Sequence, residues 1–214
     1  LPYRAQLLEK GIYSYDKAYL GSYKDYVTDY YKLGYWLVGQ LRVQYGTDIW
    51  IDAIQNIAHR PLSITPLNST LKSHTGKNIN QLYTNLFGYL KEKWEKDLQY
   101  RKIDSLTIIS PQHKRYTEYL YPQVYHDSIV FAYRTSIDDI GRFVLIYPDK
   151  TEKIIFTPGN IYEESVSLTG NMVIWAEKRA DVRWTHAEHS VIQILNIETK
   201  QRKEIRTENN LFSP

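Results

Sequence analysis

Six histidines, 24 carboxylates and no cysteine limit the chemistry these 214 residues can support. The one compact run of metal-ligating types is His186, Ala187, Glu188 and His189. On a strand His186 and Glu188 share a face while His189 points the other way, so at most two donors converge where a zinc ion needs three or four. The run reads as an exposed loop between strands, with Asp181, Arg183 and Trp184 nearby. Asp138-Asp139 and Glu163-Glu164 pair carboxylates, but acid/base work wants two carboxyls converging across a substrate, and sequence neighbours diverge. They read as solvated loop charges. Gly76-Lys77 lacks the earlier glycine of a phosphate loop and is followed by Asn78 rather than Ser or Thr, so it reads as a helix end. With no cysteine and no G-x-S-x-G elbow, acyl-transfer chemistry loses its usual nucleophile signatures.

Tyrosine is the residue in excess. The chain has 20, ten of them between Tyr3 and Tyr45, and rings carrying hydroxyls can form platforms for sugars or peptides. Tyr13, Tyr15, Tyr19 and Tyr23 are the candidate contacts for a substrate or partner. Tyr30, Tyr31 and Tyr35 sit beside a leucine stripe and read as packing, as do Trp36 and Trp50.

Behind these residues stands a chain long enough for one or two domains. Its 27 basic and 24 acidic side chains leave +3, too little to make nucleic acid a default partner. No apolar run approaches the roughly 18 residues of a membrane span, so no transmembrane segment is expected. The absence of cysteine excludes disulfides and thiolate zinc sites, and fits cytoplasm and periplasm alike. The opening Leu1-Pro2-Tyr3-Arg4 is no signal peptide, since no apolar stretch follows it.

The pattern changes period near Ile103. Before it, Tyr30, Leu33, Leu37 and Leu41 make one helical stripe closed by Gly46. Asp48 is placed to cap a second helix burying Ile51, Ile54 and Ile57, which Pro61 must stop. A third runs from about Leu67 to His74 and closes at Gly76. In the fourth, Asn78 caps, Gln81 completes a capping box, and Leu82, Leu86, Leu90 and Leu98 face the core. The opening to about Tyr26 suggests a helix at Leu7-Leu8 and then an irregular packed loop.

After Ile103 the sequence predicts strands at 127–134, 142–147, 152–156, 171–177, 190–197 and 202–206, punctuated by turn residues such as Pro148-Asp149-Lys150 and Thr169-Gly170-Asn171. This antiparallel meander repeats internally. Asp127 to Ala132 aligns with Asn171 to Ala176, Phe143 to Ile146 with Val191 to Ile194, and Glu152-Lys153-Ile154 with Lys203-Glu204-Ile205. A period of about 45 to 50 residues suits propeller blades. The fold class is therefore α+β: a helical cluster over 1–102, then antiparallel meanders resembling two blades over 103–214. Ser110-Pro111 opens this region and Ser213-Pro214 stands where a further blade would start, so the chain is expected to be a piece of a longer protein.

Two segments carry a resemblance. Asp127-Ser128-Ile129-Val130-Phe131, Leu168 to Trp175 and Ile192 to Thr199 resemble the repeats of TolB-like, WD-repeat-like β-propellers. Tyr31 to Val38, leading to Gln44-Tyr45-Gly46 and then Thr75-Gly76-Lys77, resembles the region after the active site in gluzincin-like metallopeptidase domains. The order of the two resembles a fusion found in Bacteroidetes-type envelope proteins, which implies a periplasmic or outer-membrane location and a protein or peptide partner. The gluzincin zinc motif H-E-x-x-H is absent from this chain. His59 and His74 stand too far apart to replace it on one helix, and Glu9 lies outside the usual context of the third ligand. The resemblance therefore implies a non-catalytic fragment for protein binding or scaffolding, with no cofactor in this chain and any zinc held upstream by the full-length parent. Its alternatives are part of a zinc-dependent peptidase whose motif lies upstream, and glycan or peptide binding through the tyrosine-rich opening.

Overall fold

The computed structural model describes residues 2–60, 62–100, 106–184, 187–207 and 210, with only the main chain of Glu188. It is mixed α and β: helices first, then two four-stranded antiparallel sheets. The chain divides into two compact units, Leu1–Ser105 and Leu106–Pro214.

The first unit holds α1 (Pro2–Glu9), α2 (Tyr15–Leu20), α3 (Tyr30–Tyr45), α4 (Asp48–His59), α5 (Pro66–Thr75) and α6 (Ile79–Gln99). Its larger core joins Tyr3 and Leu7 of α1 to Leu33 and Leu37 of α3 and to Tyr83, Phe87, Leu90 and Trp94 of α6. A second cluster gathers Leu41, Ile49, Leu71 and Leu82. The capping box at Asn78 is present: its Oδ1 accepts from Gln81 N–H at 2.9 Å, and Gln81 Oε1 accepts from Asn78 N–H at 3.0 Å. Gly76 ends α5 in the left-handed conformation, φ 72°, which costs glycine nothing.

Several expectations are corrected here. The opening after α1 is irregular, as expected, except for one short helix: Ser14 accepts from Lys17 N–H and starts α2. Asp48 is the first residue of α4, not its cap, and Thr47 in the cap position makes no side-chain cap bond. Ile51, Ile54 and Ile57 are exposed, and Ile49 and Ala53 are buried in their place. α4 carries apolar residues around much of its girth, so its sequence pattern does not select the face that packs. Tyr30 is exposed although Leu33, Leu37 and Leu41 are buried. Trp94 joins the α6 stripe, while Leu98 is only half-buried. Pro61, expected to stop α4, lies outside the described residues; α4 ends at His59.

The second unit holds β1 (Thr117–Tyr125), β2 (Ile129–Ser136), β3 (Arg142–Ile146) and β4 (Glu152–Phe156) in one sheet. β5 (Ser167–Thr169), β6 (Met172–Ala180), β7 (Glu188–Asn196) and β8 (Arg202–Ile205) form the other. Both sheets are meanders with neighbours in chain order, so the aligned segments occupy the same strands. β1 and β5 were not expected. β1 contains Pro122 at a register shift between Leu120 and Gln123, and β5 has three residues, so neither gives a clean alternating run.

The sheets pack face to face. Phe131, Phe143, Leu145 and Ile155 meet Val173, Trp175, Leu195 and Ile197 in one core, with the Phe143 and Trp175 rings 5.0 Å apart. Main-chain bonds give the sense of the stack. Tyr147 N–H donates to Thr151 O at 3.0 Å, so Tyr147 and, two residues back, Leu145 direct their main-chain groups at β4. Phe131, paired with Leu145, therefore turns its own away from β3. In the other sheet Ile197 N–H donates to Asn171 O at 2.8 Å, so Leu195 and Gln193 are directed at β6. Trp175, paired with Gln193, directs its groups at β7. For L-residues that direction fixes the side-chain face. Phe131 and Trp175 thus lie on opposite faces of equivalent sheets and still meet in one core, which makes the stack head to tail rather than back to back. On the face of the second sheet turned away from the first lie Met172, Ile174, Ala176, Ile192, Ile194 and Ile205, by strand alternation and register.

Candidate functional site

The four tyrosines singled out by sequence sit on α2 and its flanks. Tyr15 is half-buried, its ring edge-on to Tyr83 at 5.7 Å and stacked on Tyr19 at 6.2 Å. Lys17 Nζ lies 3.8 Å from the centroid of the Tyr13 ring and 2.6 Å from Asp25 Oδ2, so that ring is partly covered by a paired cation. Burial pushes both Tyr13 and Tyr15 hydroxyls up from their ordinary range. Tyr19 is 56% and Tyr23 93% exposed. α2 thus anchors itself through Tyr15 and offers Tyr19 to solvent, and the turn after Gly21 offers Tyr23.

The packing role expected of Tyr30, Tyr31 and Tyr35 is corrected: all three are exposed, at 54%, 74% and 74%. A 16-residue helix buries one stripe, and Leu33, Leu37 and Leu41 occupy it, leaving flanking rings outside. The Tyr30 and Tyr31 rings lie 4.4 Å apart. Trp36 packs against the core partly buried, with its ring 5.8 Å from Trp94, and Trp50 does the same in the smaller cluster. The buried tyrosines of the helical unit among the described residues are Tyr3 and Tyr83, which the sequence does not single out; each falls near a buried leucine of its own helix, Leu7 and Leu82. Burial pushes the Tyr83 hydroxyl up to about 12.

Asp138 and Asp139, read from sequence as solvated loop charges, are both held in ion pairs. Asp138 accepts from Ser136 Oγ at 2.7 Å and pairs with Arg115 at 3.2 Å. Asp139 bridges Arg134 at 2.7 Å and Arg142 at 2.9 Å. Arg134 also holds Glu152 at 2.5 Å, and Tyr119 donates to the same carboxylate at 2.7 Å. Of these groups Arg115, Arg134, Ser136, Asp138 and Asp139 border a shallow hollow of about 400 Å³. Each carboxylate in it is already paired, which is the arrangement of a structural network rather than of an acid and a base facing a substrate. Glu164 takes a φ of 59°, and its N–H donates to Tyr121 Oη at 2.9 Å.

A second network was not read from sequence. The buried Glu177 accepts from Trp175 Nε1 at 3.0 Å and pairs with Arg179 at 2.8 Å. Arg179 reaches on to Glu204 at 3.0 Å, which also accepts from Arg206 and Gln193. These bonds, the one from Arg206 foremost, hold the Glu204 carboxyl down at about 2. Alternation along β6 puts Glu177 on the face of Trp175 and Val173, the only hint the sequence contains.

His186 lies outside the described residues and so does the Glu188 side chain, leaving His189, whose Nε2 is 3.4 Å from Asp181 Oδ2. His74 pairs with Asp52 at 2.9 Å, and His59 bonds its own helix at Gln55 O, 2.7 Å away. Among the described residues no three His, Asp or Glu side chains come together as a metal site, and no helix is long and apolar enough to cross a membrane. No known protein family, curated protein or solved structure matches this chain.

Proposed function

We propose that this chain is a non-catalytic segment of a TolB-like cell-envelope protein of the periplasm or outer membrane, used for protein binding or scaffolding. In this reading the two sheets are consecutive propeller blades, and the helical unit corresponds to the part of a gluzincin-like domain that follows the active site. The observation that carries the reading is the head-to-tail stack. Sheets related in that sense can be extended by further sheets of the same kind and close into a ring, whereas a self-contained sandwich exposes polar outer faces. The outer face of the second sheet instead carries a central apolar patch of Met172, Ile174, Ala176, Ile192, Ile194 and Ile205, bordered by Thr169, Lys178, Asn196 and Lys203, with Ala176 and Ile192 buried and Met172 and Ile205 39% and 37% exposed.

The test is a lysine on that face. The chain alone is expected to bind an apolar-surface dye, and Ile194→Lys to abolish that binding with the circular dichroism unchanged. Equal dye binding by both proteins would overturn the blade reading. Zinc analysis and casein digestion test the non-catalytic part, since stoichiometric zinc with digestion by this chain would make it an enzyme.

The exposure of Tyr19 and Tyr23 favours a second reading, glycan or peptide binding through the helical opening. Titration with chitohexaose is expected to shift the ring resonances of these two tyrosines saturably; unmoved rings would remove glycans from consideration.

A further inference from the structure

A groove of about 220 Å³ runs between α3 and α6, within the helical unit and away from the tyrosines of α2. Its floor is Leu37 and Leu41 of α3 with Leu82 and Leu86 of α6, all less than a tenth exposed. The helical repeat sets Gln40 and Gln44 on one wall and Asn85 on the other, with Tyr45 and Tyr89 also lining it, so carboxamides and two phenol rings border an aliphatic floor. Lys77, the last residue before the cap of α6, lines the groove as its single charged group. Among the described residues no carboxylate pairs with the Lys77 ammonium.

These groups differ in what they can recognise. A leucine floor takes an aliphatic side chain through its apolar area. Carboxamides offer both donors and acceptors, matching a peptide group, which has one of each. The half-exposed Lys77 ammonium complements an anion, and in a groove this small one molecule can place both a side chain on the floor and an anionic group at Lys77. We propose that the groove binds the carboxyl-terminal residue of a peptide, with an aliphatic side chain on the leucines, its amide against Gln40, Gln44 and Asn85, and its carboxylate at Lys77. This inference stands on the helical unit alone and does not depend on the sheets being propeller blades.

The probe is N-acetyl-leucine, compared with N-acetyl-leucinamide, which keeps the side chain and amide and lacks the charge. Titrated into the full chain and followed by methyl resonances, the acid is expected to saturate and to shift the methyls of Leu41, Leu82 and Leu86. The amide should bind about fivefold more weakly, the ratio a partly exposed charge contact supplies. Lys77→Gln, an exchange outside the leucine core, should lower the acid to the affinity of the amide and leave the amide unchanged. Equal affinity for acid and amide, shifts that never saturate, or a Lys77→Gln protein that still prefers the acid would each overturn the proposal.

Discussion

The Glu204 carboxylate shows what a single ionised group does in this molecule. Arg206, Arg179 and Gln193 all donate to it, and its pKa falls from 4.5 to about 2. A carboxyl depressed on folding stabilises the native state above its unfolded pKa, and that contribution is lost as pH falls through the folded value. Glu204→Gln should therefore lower the melting temperature at neutral pH and narrow the gap to the parent between about pH 4.5 and pH 2. Melting curves across that window check it, and a constant gap would remove Glu204 from the acid response. At this scale the sequence was legible where geometry is local. That Glu177 and Arg179 share a face follows from their spacing along β6, whereas bringing Glu204 to Arg179 needs β6, β7 and β8 side by side and has no trace in sequence spacing.

Among the elements, α6 is the one whose sequence and structure agree most fully. Asn78 and Gln81 satisfy each other's main-chain donors, and Leu82, Leu86 and Leu90 follow at helical spacing on the buried side. Replacing Asn78 by Ala leaves the Gln81 N–H without its acceptor and should cost about 1 kcal/mol, read as a lower denaturation midpoint with unchanged slope. An effect below a third of that would mean solvent replaces the cap without loss. α4 is the counterexample. Its isoleucines at 51, 54 and 57 look like a core stripe, yet the buried residues are Ile49 and Ala53, because the turn into α4 and its packing on α5 set its rotation. Propensity makes the helix and partners choose its face. β1 and β5 failed for a related reason: a proline at a bulge and a three-residue strand carry too little alternation to be seen before their neighbours pair with them.

For the whole molecule, each unit has its own core, with Tyr3, Leu33, Phe87 and Trp94 in one and Phe131, Phe143, Trp175 and Leu195 in the other. Two cores predict two transitions. In a denaturant titration the indole N–H resonances of Trp94 in the helical unit and Trp175 in the sheets should be lost at different denaturant concentrations, and coincident loss would mean the units unfold as one. The sequence by itself determined the change of period near Ile103, the glycine that ends α5, the cap that begins α6, and the repeat that places the same strands in both sheets. Those features depend on bonds and alternations within a few residues of each other. Tertiary structure alone decided which face of α4 is covered, which tyrosines keep their rings in solvent, the ion network through Arg179, and the head-to-tail sense of the stacked sheets. Each of these is settled by atoms far apart in the chain competing for the same buried space, and no local pattern records who wins.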